Sequence, residues 1–127
     1  MRMPAAVRAW IIVCMEGSRI LISNELESYR QVLAHAFREL RPNVEVFEAE
    51  PGDLDRKVLR VRPIFVVCSR ATTMVRKHVP NYVELYAGPG EVSMVRVGGE
   101  PVAVDDMELS QLISLMDEAE KLASQTG

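Results

Sequence analysis

A chain of 127 residues and 14.2 kDa is long enough for one hydrophobic core and short for two. Hydrophobic residues at 48%, charged residues at 26% and a net charge of −3 exclude wholesale disorder, collagen-like repeats and a molecule that is polycationic throughout. The two cysteines, Cys14 and Cys68, share no CxxC and no Cys/His ligand spacing, so neither a zinc site nor a disulfide framework is expected, and the reducing cytoplasm is the default compartment.

Residues 1–17, MRMPAAVRAWIIVCMEG, place Arg2 and Arg8 ahead of a short apolar run. The run is too short to span a bilayer, Arg8 cuts a longer one, and no small-x-small cleavage site follows. Val13 before Cys14 does not suit a lipoprotein site. The stretch is expected to be an N-terminal extension: an extra packed element, or the product of a start placed upstream of Met15. A single domain over 18–127 then follows, with no membrane segment.

RILIS at 19–23 is apolar at consecutive positions, which predicts a strand covered on both faces. Asn24 with Glu27 reads as a capping box. Leu26, Tyr29, Leu33, Ala36, Phe37 and Leu40 mark the apolar stripe of a helix that Pro42 ends. Val44, Val46 and Ala49 predict a second strand near a sheet edge. Asp53 can cap a short helix with Leu54, Val58 and Val61 buried, stopped by Pro63. IFVVC at 64–68 is the most strand-like run in the chain, and Ser69 or Thr72 can start a further short helix before Pro80.

Strand–helix–strand–helix–strand predicts a parallel sheet, and ligands in such sheets collect beyond the carboxyl ends of the strands. The pattern then changes. YVELY at 82–86 and VSMVRV at 92–97 are separated by five residues, AGPGE. A parallel crossover needs about a dozen residues, so this loop predicts a hairpin. Gly98-Gly99 predicts a second tight turn, with a return strand over 101–104. A final helix is expected from Asp105 or Asp106, with Leu109, Leu112, Ile113, Met116, Ala119 and Ala123 as its apolar stripe.

RILISNELESYRQVL resembles the opening of a response-regulator receiver domain, with its first strand, acidic pair and a helix carrying Arg at the position of Arg30. RPIFVVCSR resembles the receiver's third strand, which leads to the phosphorylated aspartate. VEVFEAEPGDLDRKVLRVRP fits the strand and helix between them. The resemblance covers about 19–70. It implies a three-layer, flavodoxin-like α/β sheet with helices on both faces, here with a C-terminal part rebuilt as antiparallel hairpins and a last helix. It also implies a pocket formed by Asn24, Glu25, Ser69 and Tyr86.

Each functional position of that pocket is altered. The acidic pair falls on Asn24 and Glu25, the acceptor aspartate on Ser69, and the family's Thr or Ser near Tyr86. The family's Lys before Pro has no match, since Glu100 precedes Pro101. Acyl-phosphate chemistry needs a carboxylate nucleophile, and Mg²⁺ is held by one or two carboxylates. A serine and one glutamate supply neither in full. The resemblance therefore implies a degenerate receiver-like module in two-component-type signal transduction or gene regulation. It would act through protein contacts, independently of phosphorylation, with no catalytic residue, metal or cofactor.

Two alternatives stay open. One is a sensor of a small molecule or anion in the crevice of Asn24, Glu25 and Ser69, with Arg70 as the candidate anion contact. The other is an atypical phosphorelay receiver. Cys68 reads as a packing cysteine; His35 and His78 form no triad or ligand pair. Every charged residue from Arg56 to Lys77 is basic, and every one from Glu100 to Glu120 is acidic. That layout reads first as the solvated faces of a helix and its flanks; it also suits a protein partner or a second copy forming a homodimer. Nucleic acid is not expected, given 6% aromatic residues and no helix-turn-helix signature.

Overall fold

A computed structural model describes residues 18–85 and 92–126. The N-terminal extension and Tyr86 lie outside the described residues. Among the described residues six strands form one mixed sheet in the order β2-β1-β3-β4-β5-β6. The strands are β1 (Arg19–Ser23), β2 (Glu45–Glu48), β3 (Phe65–Cys68), β4 (Tyr82–Glu84), β5 (Val92–Arg96) and β6 (Val102–Asp105). Those up to β4 pair in parallel, whereas β4–β5 and β5–β6 are antiparallel. Both predicted hairpin pairings are therefore present, and β2 is an edge strand.

Four helices among the described residues accompany the sheet: α1 (Glu27–Leu40), α2 (Leu54–Val61, entered through a 3₁₀ turn at Pro51–Asp53), α3 (Thr73–His78) and α4 (Leu109–Thr126). Successive strand residues point to opposite faces, and here they feed two separate cores. Ile20, Ile22, Phe65 and Val67 pack with Phe37 of α1 and with Leu112 and Met116 of α4. Leu21, Val66 and Cys68 pack with Val58 of α2 and Val75 of α3. This double coverage is why β1 and β3 read as unbroken apolar runs.

Helix starts depart from expectation. α1 begins at Glu27 with Leu26 in the N-cap position and no side-chain cap. Asn24 is buried instead, its carbonyl accepting a 2.8 Å bond from Arg30, so the predicted capping box is not formed. Leu26 and Leu40, expected in the stripe, are exposed. Asp53 occupies the α2 cap position without a side-chain cap bond and instead pairs with Arg56 at 2.8 Å. Thr72 does cap α3, its hydroxyl accepting the Val75 N–H at 3.2 Å.

The last helix starts later than predicted. β6 runs on to Asp105, and Asp106 takes a left-handed φ of 48°, a conformation that aspartate tolerates better than most residues. The Glu108 N–H then donates to Gln111 Oε1 at 2.8 Å, the returning half of a capping box. Leu109 is consequently exposed, while Leu112, Ile113, Met116 and Ala119 form the buried stripe.

Candidate functional site

The strand order reverses between β1 and β3, and Asn24, Glu25 and Ser69 sit beyond the carboxyl ends of these two neighbours. Ser23 is in register with Cys68, and Cys68 with Glu84 of β4. One step further on, the Glu25 N–H donates to Ser69 Oγ at 2.9 Å. The structure thus brings Asn24, Glu25 and Ser69 together across 44 residues of chain. Glu25 is exposed and Ser69 half-buried. Arg70 is exposed, beside the same rim.

The loop from Ser69 to Thr72 is tied down at several points. Besides the Ser69 contact, Ala71 N–H donates to a Glu84 carboxylate oxygen at 2.8 Å. Thr72 Oγ1 donates to Asp55 Oδ1 at 2.6 Å. On the β1 side, Arg30 holds the Asn24 carbonyl. These ties join β1, α1, α2, β3 and β4 at one rim.

The Cys68 thiol is fully covered. Burial, with the Glu84 charge adding to it, pushes the thiol up to about 12, so at neutral pH it is protonated and a poor nucleophile. Its Sγ lies 3.7 Å from the Val83 carbonyl as a weak donor. Packing, not reactivity, describes it.

Two polar atoms at this rim have no hydrogen-bond partner among the described residues: Ser23 Oγ and Asn24 Oδ1, in residues 1% and 2% exposed. A buried amide oxygen without a partner accepts from a hydrogen-bond donor and has nothing to offer an anion. Among the described residues no group of three His, Cys, Asp or Glu could hold a metal ion.

A separate apolar notch of about 150 Å³ lies between α1 and the start of α4, lined by Tyr29, Val32, Leu33, Leu85, Leu109 and Leu112. Asn24, Glu25 and Ser69 are not among its lining residues.

Glu84 and Asp55 do not stand out in the sequence, whereas Ser23 is placed by it at the carboxyl end of the first strand. A signal existed for Glu84: a charged residue at the centre of YVELY must be exposed or satisfied. Nothing in the chain order announced that the Ala71 N–H would meet it. No helix among the described residues is long and apolar enough to cross a membrane. Comparison with family models, with curated proteins and with solved structures finds no match for this chain.

Proposed function

We propose that the chain is a receiver-like signalling module of flavodoxin-like type that works by protein contact and not by taking up a phosphoryl group. The order β2-β1-β3-β4 supports this reading, since doubly wound sheets of the 2-1-3-4-5 kind place their working site at the β1/β3 reversal. The observation that carries it is the Glu25 N–H to Ser69 Oγ bond. At the rim position where the resembled family keeps its acceptor aspartate, this chain has a hydroxyl that the neighbouring loop already holds.

A neutral hydroxyl cannot form an acyl phosphate, and one exposed carboxylate offers Mg²⁺ a single ligand. The antiparallel β5–β6 end replaces the strand–helix–strand passage that a wholly parallel sheet requires. What remains is a rigid frame with altered outer surfaces, suited to regulation through binding.

Isothermal titration with Mg²⁺ and beryllofluoride, a phosphate mimic, tests the reading. No saturable, Mg²⁺-dependent heat is expected. Saturable uptake that disappears in Glu25→Gln would restore the phosphorelay receiver.

The buried, unpartnered Ser23 Oγ and Asn24 Oδ1 favour a second reading, a sensor for a small donor-bearing molecule. Its mark is a ligand that raises the melting temperature of the wild type and not of Asn24→Leu.

A further inference from the structure

The two halves of the charge layout fold onto different parts of the molecule. α2, α3 and their flanks lie over one face of the sheet and carry Lys57, Arg60, Arg62, Arg70, Arg76 and Lys77. None of these six side chains has a hydrogen-bond or ion-pair partner among the described residues. Glu100, Asp105, Asp106 and Glu108 surround the opposite end, on β6 and the entry to α4. Their carboxylates likewise form no ion pair among the described residues. Two regions of opposite charge thus lie apart on one molecule of net charge −3.

Each charged region also holds exposed apolar side chains. Leu59, 55% exposed, stands amid the α2 cations. Val102 and Leu109, 59% and 42% exposed, stand amid the acidic residues. Exposed apolar side chains on charged elements suit a protein interface, whose apolar contacts are bordered by a polar rim. Nucleic acid would use the cations but has no use for Leu59, and the acidic end would be left without a role.

We propose that the α2/α3 face of one copy docks on the β6/α4-entry end of a second copy, head to tail. This inference rests on reading the chain as a contact module and names its partner. Because the two surfaces differ, the interface is heterologous, and it continues into a ring or an open string of copies.

The test is sedimentation velocity on the full chain over a range of concentrations. Association is expected at about 0.01 M ionic strength and is lost at about 1 M, where the Debye length falls to about 3 Å. Lys57→Glu/Arg60→Glu and Glu100→Lys/Asp105→Lys should each weaken self-association by roughly tenfold or more. Arg60, Glu100 and Asp105 are exposed and Lys57 is half-buried, so both pairs should leave the thermal melt near that of the wild type. Mixing the two variants should restore association, because each then meets its opposite charge. Loss of folding does not produce that rescue.

A chain that stays monomeric at low salt overturns the inference, and so does association indifferent to both reversals. Retention of a DNA or RNA oligonucleotide that Lys57→Glu/Arg60→Glu abolishes, with the chain itself monomeric, assigns the face to nucleic acid and also overturns it. A monomer that ignores Mg²⁺ and beryllofluoride overturns self-association alone. Mg²⁺-dependent beryllofluoride uptake overturns the contact-module reading, whatever the assembly state.

Discussion

β1 and β3 are covered along nearly their whole length, whereas β6 leaves most of its residues open to solvent. The cause is connectivity. A parallel pair needs a crossover, and each crossover lays a helix on one face of the sheet. A hairpin brings no such cover. β5 is buried only at Ser93 and Val95, in the alternating manner of a sheet end covered on one side. One end of the sheet therefore holds a rim between covered strands, and the other ends in a strand open to solvent.

That contrast predicts unequal costs for similar truncations. Phe65→Ala, in the fully covered β3, should cost about 3–5 kcal/mol. Val102→Ala, on the open β6, should stay within about 0.5 kcal/mol. Urea titration of both variants gives the comparison. With the titration run at about 1 M salt, where self-association is lost, a Val102→Ala loss near that of Phe65→Ala would mean that β6 is covered within the single copy.

The rim should respond next. Arg30→Met keeps the aliphatic stem but removes the donor to the buried Asn24 carbonyl. An unsatisfied buried acceptor costs about 1–3 kcal/mol, read by the same titration. Hydrogen exchange should quicken around 24–26 and 69–72 and remain unchanged in β5–β6. Uniform quickening would deny the rim its separate coherence.

Much of the parallel half was legible because coverage on both faces writes a distinctive signal. RILIS and FVVC are apolar without alternation, as doubly buried strands are. The hairpin was legible from arithmetic, since five residues cannot hold a crossover. Helix starts were not, because Asn and Asp serve several local purposes. Asn24 is buried beneath Arg30, and Asp106 turns the chain out of β6. The meeting of residues 24, 25 and 69 was implied by the receiver resemblance alone; the adjacency of β1 and β3 is what brings it about. The Glu84–Ala71 and Thr72–Asp55 contacts are long-range and leave no periodic trace.

A smaller effect is expected at the turn between β5 and β6. Gly98 has φ +71°, and a Cβ there would lie 2.7 Å from Leu122 Cδ1 of α4. Gly98→Ala combines left-handed strain with a displaced leucine, for about 1–2 kcal/mol. The flexible tip of Leu122 keeps the cost at this level. Gly98→Ala/Leu122→Ala should relieve the clash while retaining the backbone strain. If the double variant is no better placed than the sum of the two single ones, Leu122 is not what Gly98 makes room for.

The smallest expected effect concerns the ion pair that joins the end of α1 to α4. Arg41, which follows α1, donates to both carboxylate oxygens of Asp117 on α4, at 2.7 and 2.6 Å. The hydrogen bonds from Arg41, aided by its charge, hold the Asp117 carboxyl below its usual value even though partial burial pulls the other way. An aspartate depressed in the folded state stabilises fully above the ordinary carboxyl range, and the benefit is lost as pH falls through the lowered folded value. Both side chains are about two-fifths exposed, at 38% and 41%, so solvent and salt screen much of the attraction. Asp117→Asn should therefore melt slightly below the wild type near neutral pH, with the gap closing under acid and shrinking in high salt. A gap that stays constant from about pH 7 to about pH 3, across the ordinary carboxyl range, would trace the effect of the substitution to packing of α4 and leave the charge without a part in joining the two helices.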